Sequence, residues 1–326
     1  MQIRVALLGL FCGLWLCSCS KPDEVSVVRL DQQLFAAKSA DDIRTFLNQH
    51  PAVAQLYFNA NQAGNDTAVV RELTDRVNNP ALQDFNKRLQ AEYGDFSELR
   101  TQLANAFANI KKDFPDFKAP RVETIATGFM GPDLVVNDSL IIIGIDYFAG
   151  PKAKYRPEGP SYPQYILRRY QPEYIVPAVI FAISDRYNAT NRTDQTLLAD
   201  MIYYGKGYVF TRTMLPDEKV TPDSLIIGYT DKQLTETFNA QDIVWGHFID
   251  ERLLYQTSPA IKQRYMNERP FTAEIGRSAP GAIGRWVGWR IVSTYYDKRS
   301  VGIRELMQNA DARQLFEQSG YKGQLD

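Results

Sequence analysis

The first nineteen residues most limit what this chain can fold into, because they have the features of an export signal and do not belong to a folded core. Arg4 supplies a short positive region, and residues 5–16 form an unbroken apolar run. A helix that spans a bilayer needs about 20 apolar residues, so this run is too short to be one. Residues 16–19 read Leu-Cys-Ser-Cys, the pattern of a bacterial lipoprotein signal. The sequence therefore predicts cleavage after residue 18 and a lipid on Cys19; the alternative is an ordinary secretory signal with a chance cysteine.

All three cysteines of the chain lie in this segment, at positions 12, 17 and 19. Only Cys19 would remain after cleavage, with its sulfur bonded to lipid. The mature protein is then predicted to have no disulfide, no thiolate nucleophile and no cysteine-ligated metal. Two or three acyl chains would hold it firmly on a membrane. We expect a lipid-anchored protein of the cell envelope that faces the periplasm, with the inner and the outer membrane both open.

Composition excludes several classes of protein. Lys and Arg number 37 against 38 Asp and Glu, a formal charge of -1. No basic excess exists to neutralise phosphates, so we expect no nucleic-acid partner. The only histidines are His50 and His247, which nearly excludes a site built from three imidazoles.

Apolar spacing predicts a mainly α fold with a small central β-hairpin or sheet, an α+β class. Before Pro120, apolar residues recur at intervals of three and four, as on one helix face. After Pro120, two apolar runs flank a polar turn, which predicts a β-hairpin over residues 134–145. Further helices are predicted after residue 163. The first group of apolar residues comprises Leu82, Phe85, Leu89, Phe96, Leu99, Leu103, Phe107 and Ile110.

Local signals in the second half of the chain predict individual helices. Residues 174–183 are apolar almost all round, which indicates a buried helix. Asp194 is predicted to cap the next helix. Thr230 and Gln233 form a capping-box pattern that opens a long helix to about position 255. Residues 281–297 are predicted to form another helix.

The chain is accordingly divided into four segments. These are a lipoprotein signal peptide at 1–18, the lipidated cysteine and a tether at 19–30, an N-terminal helical region at 31–119, and an α+β region at 120–326. The alternative is that the last two form one domain, since 326 residues suffice for one large domain or two ordinary ones.

Two clusters allow a functional and a structural interpretation. His247 and Glu251 are four positions apart, which places them on one helix face as half of a metal site or, as we favour, as a histidine paired with a carboxylate. The polar and aromatic residues 168–174 could form the rim of a ligand site or, as we favour, a salt-bridged junction that orients the next helix. Neither cluster by itself identifies a reaction.

Glycines mark the most unusual stretch, residues 281–292. Gly284 and Gly288 lie one turn apart, and glycine in a helix costs up to about 1 kcal/mol relative to alanine. Their presence predicts a close approach of two helix backbones. Trp286 and Trp289 lie on a neighbouring face, where we favour core packing over a binding surface.

No motif for nucleophilic, phosphate or metal chemistry occurs. The sequence has no Gly-x-Ser-x-Gly, no glycine-rich phosphate loop and no His-Glu-x-x-His. The 38 acidic residues leave many options for a catalytic carboxylate pair, but no pair stands out.

Several motifs in order resemble one family, the gliding-motility lipoprotein GldB of Bacteroidetes. The resemblance covers most of the mature chain and is strongest from about residue 120 onward. The stretches that carry it are 170–177 (Tyr-Gln-Pro-Glu-Tyr-Ile-Val-Pro), 200–206 (Asp-Met-Ile-Tyr-Tyr-Gly-Lys), 215–217 (Leu-Pro-Asp), 227–229 (Ile-Gly-Tyr) and 281–292 (Gly-Ala-Ile-Gly-Arg-Trp-Val-Gly-Trp-Arg-Ile-Val).

That family in turn is similar to zinc-dependent proteases of the His-Glu-x-x-His type, whose buried helix after the hairpin carries two zinc ligands and the general base. Here the corresponding helix, residues 177–187, contains no histidine and no glutamate. Lys206 stands where a third ligand would be expected, and an ammonium there would repel a divalent cation. The resemblance thus implies a zincin-like scaffold without the catalytic apparatus, no enzyme activity, no metal and no cofactor. The emptied cleft is expected to be lined by Arg169, Glu173, Tyr203, Tyr204, Lys206, His247 and Arg285.

The resemblance also implies a role in gliding motility and in the associated protein secretion system, with other proteins of that machinery as partners. Two alternatives remain at this stage. One is a residual hydrolase or peptidase that uses carboxylates and His247. The other is a surface lipoprotein that captures glycans or peptides.

Overall fold

The computed structural model describes residues 24–61 and 63–324. The predicted signal peptide, Cys19 and the first residues of the tether lie outside this range. Within it, the chain is mainly helical with one small mixed sheet, which confirms the predicted α+β class. Among the described residues, no helix is long and apolar enough to cross a membrane.

The N-terminal part places a short strand before six helices. Ser39 shows how local sequence starts one of them: its hydroxyl accepts a hydrogen bond from Asp42 N (3.2 Å), and the Asp42 carboxylate accepts one from Ser39 N (3.0 Å). This capping box pairs backbone donors that the first helical turn leaves free. The elements are β1 (Val27–Arg29), α1 (Leu30–Ala36), α2 (Ala40–Gln49), α3 (Pro51–Leu56), α4 (Thr67–Val77), α5 (Pro80–Tyr93) and α6 (Ser97–Asp113).

Three further strands complete the sheet: β2 (Arg121–Ile125), β3 (Leu134–Val136) and β4 (Leu140–Gly144). The strand order is β1-β2-β4-β3, with β3 antiparallel to β4 and the other two pairs parallel. The predicted hairpin is therefore confirmed as β3–β4. Its turn is held by Asn137, whose side-chain oxygen accepts from the backbone N–H groups of Ser139 and Leu140. The sequence did not indicate that two parallel strands would join it.

Helices cover both faces of this sheet. On β4, Leu140 and Ile142 pack with α1–α4, whereas Ile141 and Ile143 pack with α5, α6 and the C-terminal helices. The alternation follows from the two-residue period of a strand. A strand buried on both faces favours apolar residues at every position, which explains the uninterrupted apolar run of β4. The division of the chain at residues 119 and 120 stays a prediction.

In the described part of the chain, ten α-helices follow the sheet: α7 (Gln164–Leu167), α8 (Ile175–Ser184), α9 (Leu197–Met214), α10 (Asp223–Ile227), α11 (Asp231–Asn239), α12 (Gln241–Asp250), α13 (Pro259–Met266), α14 (Ile283–Arg299), α15 (Ile303–Gln308) and α16 (Ala312–Ser319). The predicted buried helix is α8. The predicted glycine-rich helix is α14.

Two of the helix predictions need correction. The long helix expected from Thr230 to about position 255 is divided at Ala240 into α11 and α12. The division lets Phe238 pack on Trp286 of α14 while Trp245 packs toward α16. The cap of α9 is Thr196 and not Asp194, whose carboxylate instead accepts hydrogen bonds from the Thr196 backbone and hydroxyl.

The closest helix pair in the core is α9 and α14, which meet at glycines. A Cβ atom on Gly288 would lie 1.9 Å from the Met201 carbonyl oxygen, and one on Gly205 would lie 2.3 Å from the Gly288 carbonyl oxygen. These contacts confirm the predicted close backbone approach. Trp286 and Trp289 are buried beside it, so the core-packing interpretation is also confirmed.

Candidate functional site

A cavity of about 300 Å³ lies between α8, α9, the start of α14 and the beginning of β3. From α8 it receives Pro177, Ala178 and Phe181. Opposite them lie Arg285 of α14 and Tyr208 of α9. The other lining residues are Asp133, Leu134, Phe148, Ile166, Arg169, Tyr170, Tyr174, Leu225, Ile226, Ile227 and Gly228.

Two arginines meet on one carboxylate at the wall of this cavity. Arg169 Nη1 and Arg285 Nη1 donate to the same oxygen of Glu268, at 2.9 and 3.0 Å. The Arg285 Nε donates to the Met266 carbonyl oxygen at 2.7 Å, and its guanidinium carbon lies 4.3 Å from the centre of the Tyr204 ring. These contacts fix the Arg285 guanidinium in place and present a positive end to the cavity.

The tyrosines of the cavity are neutral phenols. Burial raises the pKa of Tyr208 to about 12. Burial also raises the pKa of Tyr170, and the charge of Asp133 adds to this increase while that of Arg169 opposes it. For Arg285, burial acts to lower the pKa, but Tyr208, Tyr204 and Glu268 raise it overall, so this guanidinium is charged. The cavity thus offers cations, neutral hydroxyls and the carboxylate of Asp133.

The buried carboxylate of Asp146 joins the loops that follow the two central strands, β2 and β4. Its Oδ2 accepts hydrogen bonds from Thr127 N (2.9 Å) and Phe129 N (2.8 Å), which ties the loop after β2 to the end of β4. Burial raises the pKa of Asp146, and these backbone donors oppose that increase. The same loop leads to Asp133, so Asp146 positions one wall of the cavity.

Lys206 points away from this cavity, although the sequence interpretation had placed it in the cleft. Its ammonium is buried and donates to the carbonyl oxygens of Ala189 (2.7 Å), Met307 (3.2 Å) and Asn309 (2.8 Å). Burial lowers its pKa to about 8. It therefore ties α9 to the end of α15 and to the segment that follows α8.

The geometry of the α-helix explains why Lys206 lies outside the cavity that Tyr208 lines. Each residue of an α-helix turns by about 100° relative to the last, so Lys206 and Tyr208 point about 200° apart. Tyr203 shares the face of Lys206, where both line a second cavity of about 230 Å³, and the Tyr203 hydroxyl donates to Asp185 at 2.6 Å. Tyr204 and Tyr208 share the opposite face and lie on the side of the arginines.

The remaining two predicted cleft residues lie elsewhere. The His247 Nε2 is 2.9 Å from the Tyr265 hydroxyl, so its hydrogen-bond partner is a phenol and not the expected carboxylate of Glu251. Glu173 is exposed on the turn before α8. Of the seven residues expected in the cleft, Arg169 and Arg285 line the main cavity and Tyr204 supports Arg285.

The cluster at residues 168–174 takes part in both of the roles that the sequence analysis weighed, since Arg168 joins helices while Arg169, Tyr170 and Tyr174 line the cavity. Arg168 donates to the Gln233 side chain at 2.6 Å and to the Gly228 carbonyl oxygen at 2.8 Å, which joins the segment before α8 to α10 and α11. Its neighbour Arg169 faces the cavity. Arg168 therefore has a structural role, whereas Arg169 belongs to the candidate site.

Sequence reasoning missed Glu268 and Tyr208. Glu268 lies between α13 and α14 and reaches Arg169 across 99 positions of sequence, so no local pattern could reveal the pair. Tyr208 could have been found from its four-residue spacing to Tyr204. Within the described part of the chain, no group of three or more His, Cys, Asp or Glu side chains is arranged to hold a metal ion.

Comparison with known proteins supplies the family. A family model described as gliding motility protein GldB matches residues 18–323, a range that includes Cys19. No curated protein and no solved structure gave a match. The class that this match defines is a lipoprotein of the cell envelope that serves gliding motility. Since the match spans nearly the whole sequence, the chain belongs to the GldB family.

Proposed function

We propose that this protein is a non-catalytic member of the gliding and protein-secretion machinery that binds segments of partner proteins. In this proposal the lipid on Cys19 holds it on a membrane, and the cavity beside α8 is the emptied cleft of a zincin-like scaffold. Arg169, Arg285 and Tyr208 are the residues that would contact a bound segment.

The supporting observation is the identity of the α8 residues that face the cavity. Pro177, Ala178 and Phe181 have the relative positions 1, 2 and 5. In a His-Glu-x-x-His helix, these positions carry the first zinc ligand, the general base and the second ligand. Proline, alanine and phenylalanine side chains offer neither a lone pair for Zn²⁺ nor a proton acceptor. A protease-like cleft with these residues could still hold a peptide, but it would lack the groups that cleave one.

Electrostatics at the opposite wall supports the same proposal. Arg169 and Arg285 line the same cavity as Pro177, Ala178 and Phe181, which the proposal aligns with the zinc-binding positions of a metalloprotease. Two fixed cations would repel Zn²⁺, whereas they attract the carboxylates and carbonyl oxygens of a peptide. The cavity therefore fits ligand binding better than metal-assisted hydrolysis.

The test is a deletion strain complemented with the wild-type gene, with Cys19→Ala and with Cys19→Ser. We expect deletion to stop colony spreading and single-cell gliding and to reduce the amount of protein secreted into the medium. Only the wild-type gene should restore both, because only it permits lipidation. Immunoblots of each variant show whether the protein is present.

Two outcomes would overturn parts of the proposal. Normal gliding and normal secretion after deletion would exclude the machinery role. Zinc that copurifies with the mature protein at about one ion per chain, together with peptide hydrolysis that a chelator stops, would exclude the non-catalytic role.

A further inference from the structure

The cavity beside α8 is built to recognise one particular chemical group. Arg169 and Arg285 place two guanidinium groups against a single carboxylate oxygen of Glu268. One carboxylate cannot neutralise two cations, so this end of the cavity has an excess of positive charge. Their side chains are 25% and 18% exposed, which shelters the charges from water but leaves them accessible to a ligand.

Arg169 retains donors for such a ligand. A guanidinium carries five N–H groups. Within the described residues, the hydrogen bonds of Arg169 side-chain nitrogens are limited to the one from Nη1 to Glu268, and Nε and Nη2 have no acceptor. Gly228 lies against the arginine stem, where a Cβ atom would come within 2.8 Å of Arg169 Cδ. The glycine thus leaves room for Arg169 to lie along the cavity wall.

The rest of the cavity limits which anion can enter. Asp133 lines the same cavity and raises the pKa of Tyr170 in addition to the effect of burial, so a negative charge lies within reach of that tyrosine. This charge would repel a second negative group on the ligand. A planar carboxylate with a single charge, which two guanidinium groups can bind through paired hydrogen bonds, fits better than a phosphate with two charges.

Apolar side chains form the remaining wall. Phe181, Ile226 and Ile227 face the cavity and can cover an apolar side chain next to the carboxylate. About 300 Å³ is the lower end of the range for ligand sites, which suits the end of one chain segment and not a folded domain.

We infer that this cavity binds the carboxylate of an extended peptide segment, with an apolar residue beside that carboxylate packed against Phe181, Ile226 and Ile227. The inference rests on the proposed role in peptide binding and adds the group that is recognised. Both a C-terminal carboxylate and an Asp or Glu side chain offer this chemistry. The Arg285 guanidinium is already held by Met266 and Tyr204, so little side-chain freedom is lost on binding.

The experiment uses the mature lipidated protein in detergent micelles and three peptides whose N-termini carry a BODIPY dye, which has no net charge and no free carboxylate once coupled. The first is Gly-Ser-Gly-Leu-Phe with a free C-terminal carboxylate, the second is its C-terminal amide, and the third is Gly-Ser-Glu-Leu-Phe amide. Fluorescence anisotropy gives the affinity of each. We expect the free acid or the glutamate peptide to bind at least about tenfold more tightly than the plain amide, because charge-assisted hydrogen bonds are lost in the amide. The comparison between the first and third peptides shows which source of carboxylate fits.

Three variants locate the binding. Arg169→Gln should weaken binding of the carboxylate peptide about tenfold and leave the amide unchanged. Ala178→Phe fills the cavity without changing its charge and should weaken every peptide. Arg88→Gln is the control, since Arg88 is exposed on α5, pairs with Asp84 and does not line this cavity. Circular dichroism of each variant shows that the fold is intact.

Equal binding of all three peptides, no binding of any of them, or wild-type affinity in Arg169→Gln would overturn the inference. The gliding assay tests the proposed function independently of the peptide-binding inference. If deletion stops gliding but all three peptides bind equally to the wild-type protein, the machinery role stands and the carboxylate site is rejected. If deletion has no effect on gliding while the peptide affinities behave as expected, the site stands and the machinery role is rejected.

Discussion

Replacing Gly288 by alanine tests the contact on which the α9–α14 core depends. The added Cβ atom would lie 1.9 Å from the carbonyl oxygen and 2.4 Å from the carbonyl carbon of Met201. Both belong to the backbone, so one helix must move. Overpacking a core costs about 1–3 kcal/mol, and a backbone clash places this substitution at the upper end. Alanine recovers about 1 kcal/mol of helix propensity. The free energy of unfolding should therefore fall by about 2 kcal/mol.

Gly246 provides the matched control, because it also lies within a helix but a Cβ atom there would meet no atom within 4 Å. Gly246→Ala should raise the free energy of unfolding by up to about 1 kcal/mol. Urea denaturation followed by tryptophan fluorescence and circular dichroism measures both variants. Opposite shifts of the two midpoints are expected. If Gly288→Ala is as stable as the wild type, or more stable, the close backbone contact is not the constraint that keeps glycine at this position.

Three other substitutions have defined outcomes in the same denaturation assay. Burial lowers the pKa of Lys206 to about 8, so the unfolded chain holds this proton more tightly than the folded chain does. The free energy of unfolding should therefore increase as the pH rises from about 8 to about 10.4. The Lys206→Met variant should lack this increase. Thr230→Ala should cost about 1 kcal/mol, since the hydroxyl accepts the hydrogen bond of Gln233 N that starts α11. Trp286→Ala should cost about 3–5 kcal/mol, because the side chain is completely buried.

Each of these three has a control on the surface. Lys232→Met removes an exposed lysine and keeps Lys206, so the increase in stability that Lys206 contributes should remain. Thr101→Ala changes an exposed helical threonine that does not cap, and Tyr255→Ala removes a half-exposed aromatic ring. A substitution in the core or at the cap that shifts the midpoint no more than its control would contradict the contact assigned to it.

Much of the fold could be predicted because its signals are local. The β3–β4 hairpin follows from two apolar runs around a short polar turn, and the capping boxes at Ser39 and Thr230 join residues three positions apart. Parallel pairing of β1 with β2 has no comparable signal, since its partners are 95 positions apart, as Val27 and Val122 show. The break at Ala240 was also hidden, because residues 230–255 contain no proline and their one glycine, Gly246, lies within α12.

The candidate site was less predictable, since it depends on directions in space. The predicted cleft included Tyr203, Tyr204 and Lys206 together. Successive residues of a helix are rotated by about 100°, so these three side chains lie on different sides of α9. Arg169 and Arg285 were placed in the cleft from the expected helix order, and both line the cavity. The carboxylate that joins them was missed because Glu268 lies in a connection without a repeating pattern.

The sequence by itself determined the family, the predicted lipid signal at Cys19, the α+β class and the absence of ligand and base residues from α8. All of these depend on residue identity and on spacings of a few positions. Only the tertiary structure decided that Lys206 is held by three carbonyl oxygens outside the cleft, that His247 meets Tyr265, and that two arginines share Glu268. The physical reason is that burial and charge pairing depend on which distant segments come into contact. A local sequence pattern indicates only which side of a helix or strand is apolar, and it does not identify the segment that packs there.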